Sequence, residues 1–148
     1  MLTKNTFILQ SNYATLDQII DHLECCTFSP SLSHIVNIKD YSEKLILFSH
    51  RYELWIDEKL IGLIAVYENR PPEAYISNVS IIDEYKCMGY GSKLLKNSLC
   101  EIERKEFKKV SLEVYNDNKI AFNMYLRYNF MPILVNDNKT LMCKYYDN

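Results

Sequence analysis

The sequence predicts an α/β (α+β) fold, in which helices cover a central sheet. Strand-like runs fill the middle of the chain, and stretches with apolar residues at helical spacing occur before, between and after them. The chain has 148 residues, of which 48% are hydrophobic. That length supports one domain with a substantial core and is too short for two ordinary domains. We therefore expect a single domain over residues 1–148.

The first third of the chain predicts one strand followed by two helices. Thr6–Gln10 is typical of a strand. Thr15 and Gln18 have the spacing of a capping box, and apolar residues follow them at helical spacing. Asp40 and Glu43 offer a second capping box ahead of another helical stripe. We expect the polar segment between the two helices to be irregular.

The middle of the chain predicts three strands and a long helix. Tyr52–Ile56 and Leu60–Tyr67 flank a short polar connection, which is typical of a hairpin. Glu73–Ile82 follows as a third run, and a helix is expected from about Gly89 to Glu106. A glycine inside a strand, such as Gly62, indicates a bulge or a close approach of two backbones.

The last part of the chain predicts a strand, a helix and a hairpin. Lys109–Tyr115 alternates between apolar and polar residues, as a half-buried strand does. Lys119–Tyr128 is expected to be a helix, and Pro132–Val135 with Leu141–Tyr146 to be a closing hairpin. The apolar stripe of the helix, which we expect to be buried, consists of Ala121, Met124, Tyr125 and Tyr128.

Charge and cysteine usage exclude several function classes. Seventeen Lys and Arg against nineteen Asp and Glu give a net charge of −2, without the basic excess typical of nucleic-acid-binding proteins. The five cysteines contain no C-x-x-C pair and only three histidines accompany them, so no metal is expected. Such cysteines are typical of a reduced, cytoplasmic protein. No apolar stretch has the length of a signal peptide core or a membrane span, so no membrane partner is expected.

Gly89 and Gly91 lie between the end of a predicted strand and the start of a predicted helix. Glycines at such a junction let backbone N–H groups turn toward a bulky anion, and the helix N-terminus adds partial positive charge. The junction therefore predicts a phosphate or pyrophosphate site. The G-x-G pattern is also compatible with a purely structural turn, and it matches neither the Walker A nor the Rossmann pattern.

Two segments resemble the signature motifs of the GNAT superfamily of acetyl-CoA-dependent N-acetyltransferases. Leu112–Phe130 reads LEVYNDNKIAFNMYLRYNF, which is similar to the family pattern L-E-V-x-x-x-N-x-x-A-x-x-x-Y-x-x-x-G-F. Lys86–Gly91 resembles the family's R/Q-x-x-G-x-G/A pattern. The resemblance implies the GNAT fold: a central, mixed, mostly antiparallel sheet of about seven strands, splayed at strands four and five, with about four helices.

The chain departs from these patterns at three positions. Asn129 and Glu106 stand where relatives often have a glycine that ends a helix. Asn tolerates the left-handed conformation that such an end requires, whereas Glu is poorly suited to it, so we expect the helix before Glu106 to end differently. Lys86 replaces Arg or Gln, which keeps a donor for a phosphate and loses the planar fork of arginine.

The resemblance implies that acetyl-CoA is the cosubstrate and that it binds where strands four and five splay apart. Backbone groups of Ile81 and Ile82 would pair with the pantetheine arm, and an N–H near Ile81 would stabilise the developing oxyanion. The side chain of Asn118 and the helical turn at Ala121 would contact the cofactor. The pyrophosphate would be held by Lys86, Cys87, Met88, Gly89, Tyr90, Gly91 and Ser92.

The resemblance also implies direct attack of an amine on the thioester, which needs a base and a proton for the departing thiolate. Tyr125 matches the family's tyrosine acid, although periodicity alone favours a core tyrosine. Glu113 matches a glutamate that is the base in some relatives, and a rim carboxylate without a catalytic role is the alternative. Asn78 and Ser80 share one face of the preceding strand and could position a water instead.

The resemblance places the acceptor site largely at the first two helices and their connection, in which Phe28 and His34 lie. That connection is polar, aromatic and uncharged, which suits a small polar amine such as an amino sugar or an amino-acid derivative. A peptide or protein amine is the alternative within the enzyme class, and an acyl-CoA-binding sensor without turnover is the alternative outside it. The tyrosine-rich end at Tyr145 and Tyr146 could pair across a homodimer.

Overall fold

The computed structural model describes residues 6–28, 32 and 36–147. A seven-stranded sheet forms the centre of this part of the chain. The strands are β1 (Phe7–Ser11), β2 (His50–Ile56), β3 (Lys59–Arg70), β4 (Glu73–Ile81), β5 (Lys109–Tyr115), β6 (Met131–Val135) and β7 (Lys139–Tyr145). The helices in the described ranges are α1 (Leu16–Glu24), α2 (Ile38–Phe48), α3 (Tyr90–Arg104) and α4 (Lys119–Arg127), with a 3₁₀ turn at Asp83–Tyr85.

The strand order is β1-β2-β3-β4-β5-β7-β6, in which β4 and β5 run parallel and the other neighbours antiparallel. β4 and β5 are paired from Glu73 opposite Lys109 to Ile76 opposite Leu112. Beyond Ile76, β4 continues to Ile81 without a register partner in β5, so the two strands separate. This sheet confirms the predicted mixed architecture that opens between strands four and five.

Apolar side chains pack against both faces of the sheet. One cluster joins β2 to β5 with α3 and α4, and the other joins β2 and β3 with α1 and α2. In α4, Tyr125 is buried as predicted, because it points into the first of these clusters. The rest of the predicted stripe is only half-buried and consists of Ala121, Met124 and Tyr128.

The hairpin between β2 and β3 forms as predicted. Asp57 and Glu58 at its turn have φ angles of 48° and 64°, which suit the twist of a two-residue hairpin turn. The register of the hairpin slips after Leu54, which pairs with Gly62, so a bulge lies at this point. A Cβ built on Gly62 would lie 2.8 Å from Cδ1 of Ile81. The bulge predicted at this glycine is therefore confirmed, and the close neighbour is a side chain and not a second backbone.

A bulge in β4 changes which residues face each helical layer. Ile76 and Asn78 pair with consecutive residues of β3, so Ser77 between them has no partner in that strand. Ile76 packs in the cluster with α3, whereas Ser80 beyond the bulge hydrogen-bonds to His22 of α1. The bulge therefore turns two polar side chains of β4, Asn78 and Ser80, toward the α1 layer at the point where β4 leaves β5.

The two N-terminal helices begin with side-chain caps. Thr15 and Gln18 form the predicted capping box of α1. The prediction that Asp40 caps α2 is wrong, because Oδ1 of Asn37 accepts a hydrogen bond from the N–H of Asp40 at 3.0 Å. Asn is among the best N-cap residues, and Asp40 instead lies in the first turn, where the helix dipole favours a carboxylate.

Two helices end with a non-glycine residue in the left-handed region. Glu106 follows α3 with φ of 69°, and Asn129 follows α4 with φ of 71°. At both ends, the N–H groups of this residue and the next one bond back to the last turn, as in a Schellman motif. Asn129 behaves as predicted. The expectation of a different end at Glu106 is wrong, because these hydrogen bonds and the burial of Phe107 hold Glu106 in the conformation usual for glycine.

Candidate active site

The unpaired edge of β4 presents the backbone of Ile81. The N–H of Ile82 donates to the carbonyl of Ile61 in β3 at 2.9 Å, and the carbonyl of Ile82 accepts from Tyr85 at 3.0 Å. Backbone groups of successive strand residues point to opposite sides, so those of Ile81 point away from β3 toward the opening. Of the two isoleucines that sequence analysis selected, Ile81 is thus directed at the opening, whereas Ile82 is bonded within the chain.

The N-terminus of α3 lies beside this edge. Gly89 precedes the helix with φ of 85°, and a Cβ there would meet no atom within 4 Å, so the backbone conformation alone requires glycine. A Cβ on Gly91 would lie 3.6 Å from Cγ1 of Ile81 and 4.0 Å from Sδ of Met124. These are ordinary contacts, so the fold itself does not require glycine at this position. Gly91 therefore marks the point where β4, α3 and α4 converge.

This helix end has the features of an anion site. α3 is 15 residues long, has no side-chain cap and has no acidic residue in its first turn. Within the part of the chain that the structure describes, the N–H groups of its first turn have no hydrogen-bond partner. Ser92 joins α3 to α4 through a hydrogen bond between its hydroxyl and that of Tyr128. The arrangement fits a phosphate group, because N–H groups and the helix dipole both favour negative charge.

The loop before α3 is exposed and includes Cys87, which has φ of 65°. Met88 beside it is 60% exposed. Nζ of Lys86 lies 2.8 Å from Oδ1 of Asp83 and donates to the carbonyl of Thr27 at 3.2 Å. These hydrogen bonds from Lys86 and Thr27 lower the pKa of Asp83 to about 2. Lys86 thus places its ammonium group at the loop and links the loop to Thr27, which follows α1.

Tyr125 is 6% exposed, and its ring packs edge-on against Phe130 at 5.7 Å between centroids. Burial raises the pKa of its hydroxyl above the usual value, so this group is protonated at neutral pH. Among the described residues, the hydroxyl has no hydrogen-bond partner. The oxygen itself is not fully buried, so it stays accessible to a bound molecule.

Asn118 caps the helix that carries Tyr125. Its Oδ1 accepts a hydrogen bond from the N–H of Ala121 at 3.3 Å, which leaves Nδ2 for another partner. Ala121 packs against the cluster shared with α3. Both residues precede Tyr125, Asn118 as the N-cap and Ala121 in the first turn of α4.

Glu113 lies on the exposed face of β5 and accepts a hydrogen bond from the hydroxyl of Tyr75 at 3.3 Å. Burial, together with the charge and hydrogen bond of Glu113, raises the pKa of Tyr75 to about 12. The role of Tyr75 is not predictable from the sequence, because only the parallel pairing of β4 with β5 brings it near Glu113. Tyr75 also lines a groove of about 510 Å³ next to α2, together with residues that include Phe48, Tyr67 and Arg70.

A buried hydrogen-bond chain runs from α1 to the opening. Nδ1 of His22 lies 2.9 Å from the carbonyl of Leu60, and its Nε2 lies 2.7 Å from Oγ of Ser80. Nδ2 of Asn78 donates to Oγ of Ser80 at 2.8 Å and to the carbonyl of Leu63 at 3.2 Å. Burial lowers the pKa of His22 to about 4, so the ring is neutral at neutral pH. His22 was missed because nothing in its own helix indicates a partner on β4.

The remaining predicted acceptor residues are separated from this centre. Phe28 packs against the cluster of α1 and α2, and His34 lies outside the described residues. In the ranges 6–28, 32 and 36–147, no three His, Cys, Asp or Glu side chains are close enough together to hold a metal ion. No helix in these ranges has both the length and the apolar character needed to cross a membrane.

The structure thus combines a sheet that opens between β4 and β5 with an uncapped helix N-terminus beside that opening. Residues 16–130 match the family model described as Acetyltransferase (GNAT) family. The chain therefore belongs to the GNAT acetyltransferase family, which confirms the predicted fold and enzyme class.

Solved structures share this fold at low sequence identity. PaiA N-acetyltransferase from Thermoplasma acidophilum, in complex with coenzyme A, has a TM-score of 0.74 and 18% identity, over 94% of this chain and 99% of that one. The ribosomal-protein-S18-alanine N-acetyltransferase of Escherichia coli has a TM-score of 0.78 and 17% identity, over 93% and 92%. A GNAT acetyltransferase from Elizabethkingia anophelis with acetyl-CoA bound has a TM-score of 0.73 and 18% identity, over 97% and 100%.

Proposed function

We propose that this enzyme transfers an acetyl group from acetyl-CoA to the primary amine of a small polar molecule by direct attack. Acetyl-CoA would supply the activated thioester. The observation that carries the proposal is the hydroxyl of Tyr125, which is protonated, mostly buried and without a partner among the described residues. A group of this kind is suited to give a proton to a departing thiolate.

The residues at the opening fit the cosubstrate. The backbone of Ile81 would pair with the pantetheine arm, and its N–H would donate to the thioester carbonyl oxygen, where negative charge develops during attack. Ile82 is not part of the proposed site, because its N–H already donates to the carbonyl of Ile61 in β3. The first turn of α3, from Gly89 to Ser92, would bind the pyrophosphate through its N–H groups. The remaining contacts would come from Lys86, Cys87, Met88, Asn118 and Ala121.

We propose Glu113 as the base that removes a proton from the acceptor amine, directly or through a water. Its exposure leaves it accessible to the acceptor, and the hydroxyl of Tyr75 holds one of its oxygens. The second oxygen has no donor among the described side chains, so it is available for the amine proton. The alternative is that Glu113 is an exposed carboxylate at the rim of the site and has no catalytic role.

The groove beside Tyr75 supports a small acceptor. Its volume of about 510 Å³ falls within the range of small-molecule sites. A peptide amine is the second candidate, because the similar Escherichia coli enzyme is a ribosomal-protein-S18-alanine N-acetyltransferase. A sensor without turnover is disfavoured because the chain has both Tyr125 and Glu113, the residues proposed here as acid and base.

Two further expectations remain part of this proposal. All five cysteines are free, which supports a reducing, cytoplasmic location. The edge strand β6 is exposed along its whole length, which supports pairing of the C-terminal hairpin in a homodimer.

The function is tested in two steps. Acetyl-CoA should raise the melting temperature, because a ligand that binds the folded state stabilises it. Thiol release from acetyl-CoA is then measured with glucosamine, spermidine and an alanine-initiated peptide. Release with glucosamine and not with the peptide supports a small acceptor, and the reverse supports a peptide acceptor. No thermal shift at millimolar acetyl-CoA would refute the enzyme and the sensor alike.

A further inference from the structure

The amide of Asn78 has both of its hydrogens occupied. The carbonyl of Leu63 can only accept, so the atom 3.2 Å from it is Nδ2 and not Oδ1. The second hydrogen of Nδ2 is directed at Oγ of Ser80, 2.8 Å away. Oδ1 therefore has a fixed position, and no donor from the described residues contacts it.

His22 fixes the direction of this chain. Its Nδ1 faces the carbonyl of Leu60 and must carry the ring hydrogen, so its Nε2 is an acceptor. The hydroxyl of Ser80 must then donate to Nε2, which leaves its oxygen lone pairs for Asn78. Because each partner in the chain has one possible role, Asn78 is held with Oδ1 outward and cannot present a donor instead.

The location of Asn78 allows Oδ1 to contact a molecule bound at the opening. Asn78 is 6% exposed, follows the bulge in β4 and lies beyond the last residue that pairs with β5. It therefore borders the opening on the face that carries α1 and α2. An amine that attacks a thioester must aim its lone pair at the carbonyl carbon, so its N–H groups need acceptors nearby.

We infer that Oδ1 of Asn78 accepts a hydrogen bond from the acceptor amine, with Ser80 and His22 as positioning residues that hold the amide in this polarity. This inference rests on the proposed acetyl transfer. An amide oxygen accepts from a neutral amine without the negative charge of a carboxylate, which would favour the unreactive ammonium form. Oδ1 thereby orients the nitrogen, and proton removal is left to Glu113.

The first test compares Asn78→Ala and Asn78→Asp with the wild type, using whichever of glucosamine, spermidine and the alanine-initiated peptide the wild type acetylates fastest. Asn78→Ala should raise KM for the amine about 10-fold, as expected when one hydrogen bond is lost, with the acetyl-CoA thermal shift retained. Asn78→Asp should move the acidic limb of kcat to higher pH, because a carboxylate beside the bound amine retains its ammonium form. Unchanged KM in Asn78→Ala would overturn the inference and leave acetyl transfer intact.

The second test concerns the positioning residues. His22→Phe cannot accept a hydrogen bond from Ser80, so it should raise KM for the amine. The glutamine in His22→Gln can still accept from Ser80, so its KM should lie close to that of the wild type. If His22→Phe does not fold, Ser80→Ala takes its place, with Ser98→Ala as control because Ser98 is equally buried and bonds only to Leu94 of its own helix. Equal loss in both His22 variants, or in both serine variants, would overturn the positioning role. Failure of the wild type to acetylate any of the three amines would instead refute the proposed function, and this inference with it.

Discussion

The hydroxyl of Tyr75 donates to Oε1 of Glu113 at 3.3 Å and so links β4 to β5 just before the two strands separate. One oxygen of the carboxylate is thereby fixed at the edge of the opening. The pKa of Tyr75 is raised to about 12, so this phenol stays a donor over the whole neutral range. The proposed base is therefore held in place by a residue that does not itself titrate during the reaction.

Glu113→Gln tests the assignment of the base. Removing a general base should lower kcat about 100-fold or more and abolish the decline of kcat on the acidic side. Glu103→Gln is the control, because Glu103 is an exposed carboxylate on a different element, α3. An acidic limb that is unchanged in Glu113→Gln would assign proton removal to another group.

Gly89 and Gly91 should respond to alanine in opposite ways. Gly89→Ala should lower the free energy of unfolding by about 1 kcal/mol, because φ of 85° disfavours a side chain. Gly91→Ala should raise stability slightly, since its Cβ meets ordinary contacts and alanine favours a helix, and should weaken acetyl-CoA binding about 10-fold by crowding the phosphate.

Urea unfolding and titration of acetyl-CoA separate these two effects. A loss of stability without a change of affinity in Gly91→Ala would show that this glycine serves the fold alone.

Glu106→Gly should stabilise the protein by about 1 kcal/mol. Glu106 has φ of 69°, a conformation that is strained for any residue with a Cβ, and glycine removes that strain. Lys96→Gly in the exposed middle of the same helix is the control and should destabilise by about 1 kcal/mol. Equal destabilisation by both substitutions, measured by urea unfolding, would contradict the cap described for α3.

His22 should make stability depend on pH below neutrality. Its pKa is lowered from 6.5 to about 4 in the folded state, so the unfolded state binds the extra proton first as pH falls. The stabilisation is complete above pH 6.5 and is lost between about pH 6.5 and about 4, by up to about 3 kcal/mol. His22→Gln should flatten this part of the curve of unfolding free energy against pH. An identical slope in wild type and variant would rule out His22 as its source.

Much of the fold was predictable because its signals are local. The capping box at Thr15, the hairpin turn after Ile56 and the glycines before α3 each depend on residues close together in the chain. The motif that contains Tyr125 is likewise contiguous, so it could be matched without knowledge of the sheet.

The parts that could not be predicted depend on contacts between distant residues. Asn37 and Asp40 are both good cap residues, so residue preference alone could not show that Asn37 is the cap. The alternation of residue types along β4 does not show the bulge at Ser77. This bulge turns Asn78 toward the layer of α1, which carries His22. The conformation of Glu106 could not be predicted from the poor intrinsic preference of glutamate for the left-handed region. It is held there by backbone hydrogen bonds to the last turn of α3.

The central claim is that Tyr125 protonates the departing thiolate, and its most direct test is kcat of Tyr125→Phe. We predict a decrease of about 100-fold with the acetyl-CoA thermal shift retained, because the phenyl ring keeps the packing and loses only the proton. Tyr146→Phe, which removes a hydroxyl bonded to the carbonyl of Leu99 on α3, should keep wild-type kcat. A kcat of Tyr125→Phe equal to that of the wild type would contradict the mechanism proposed for this enzyme.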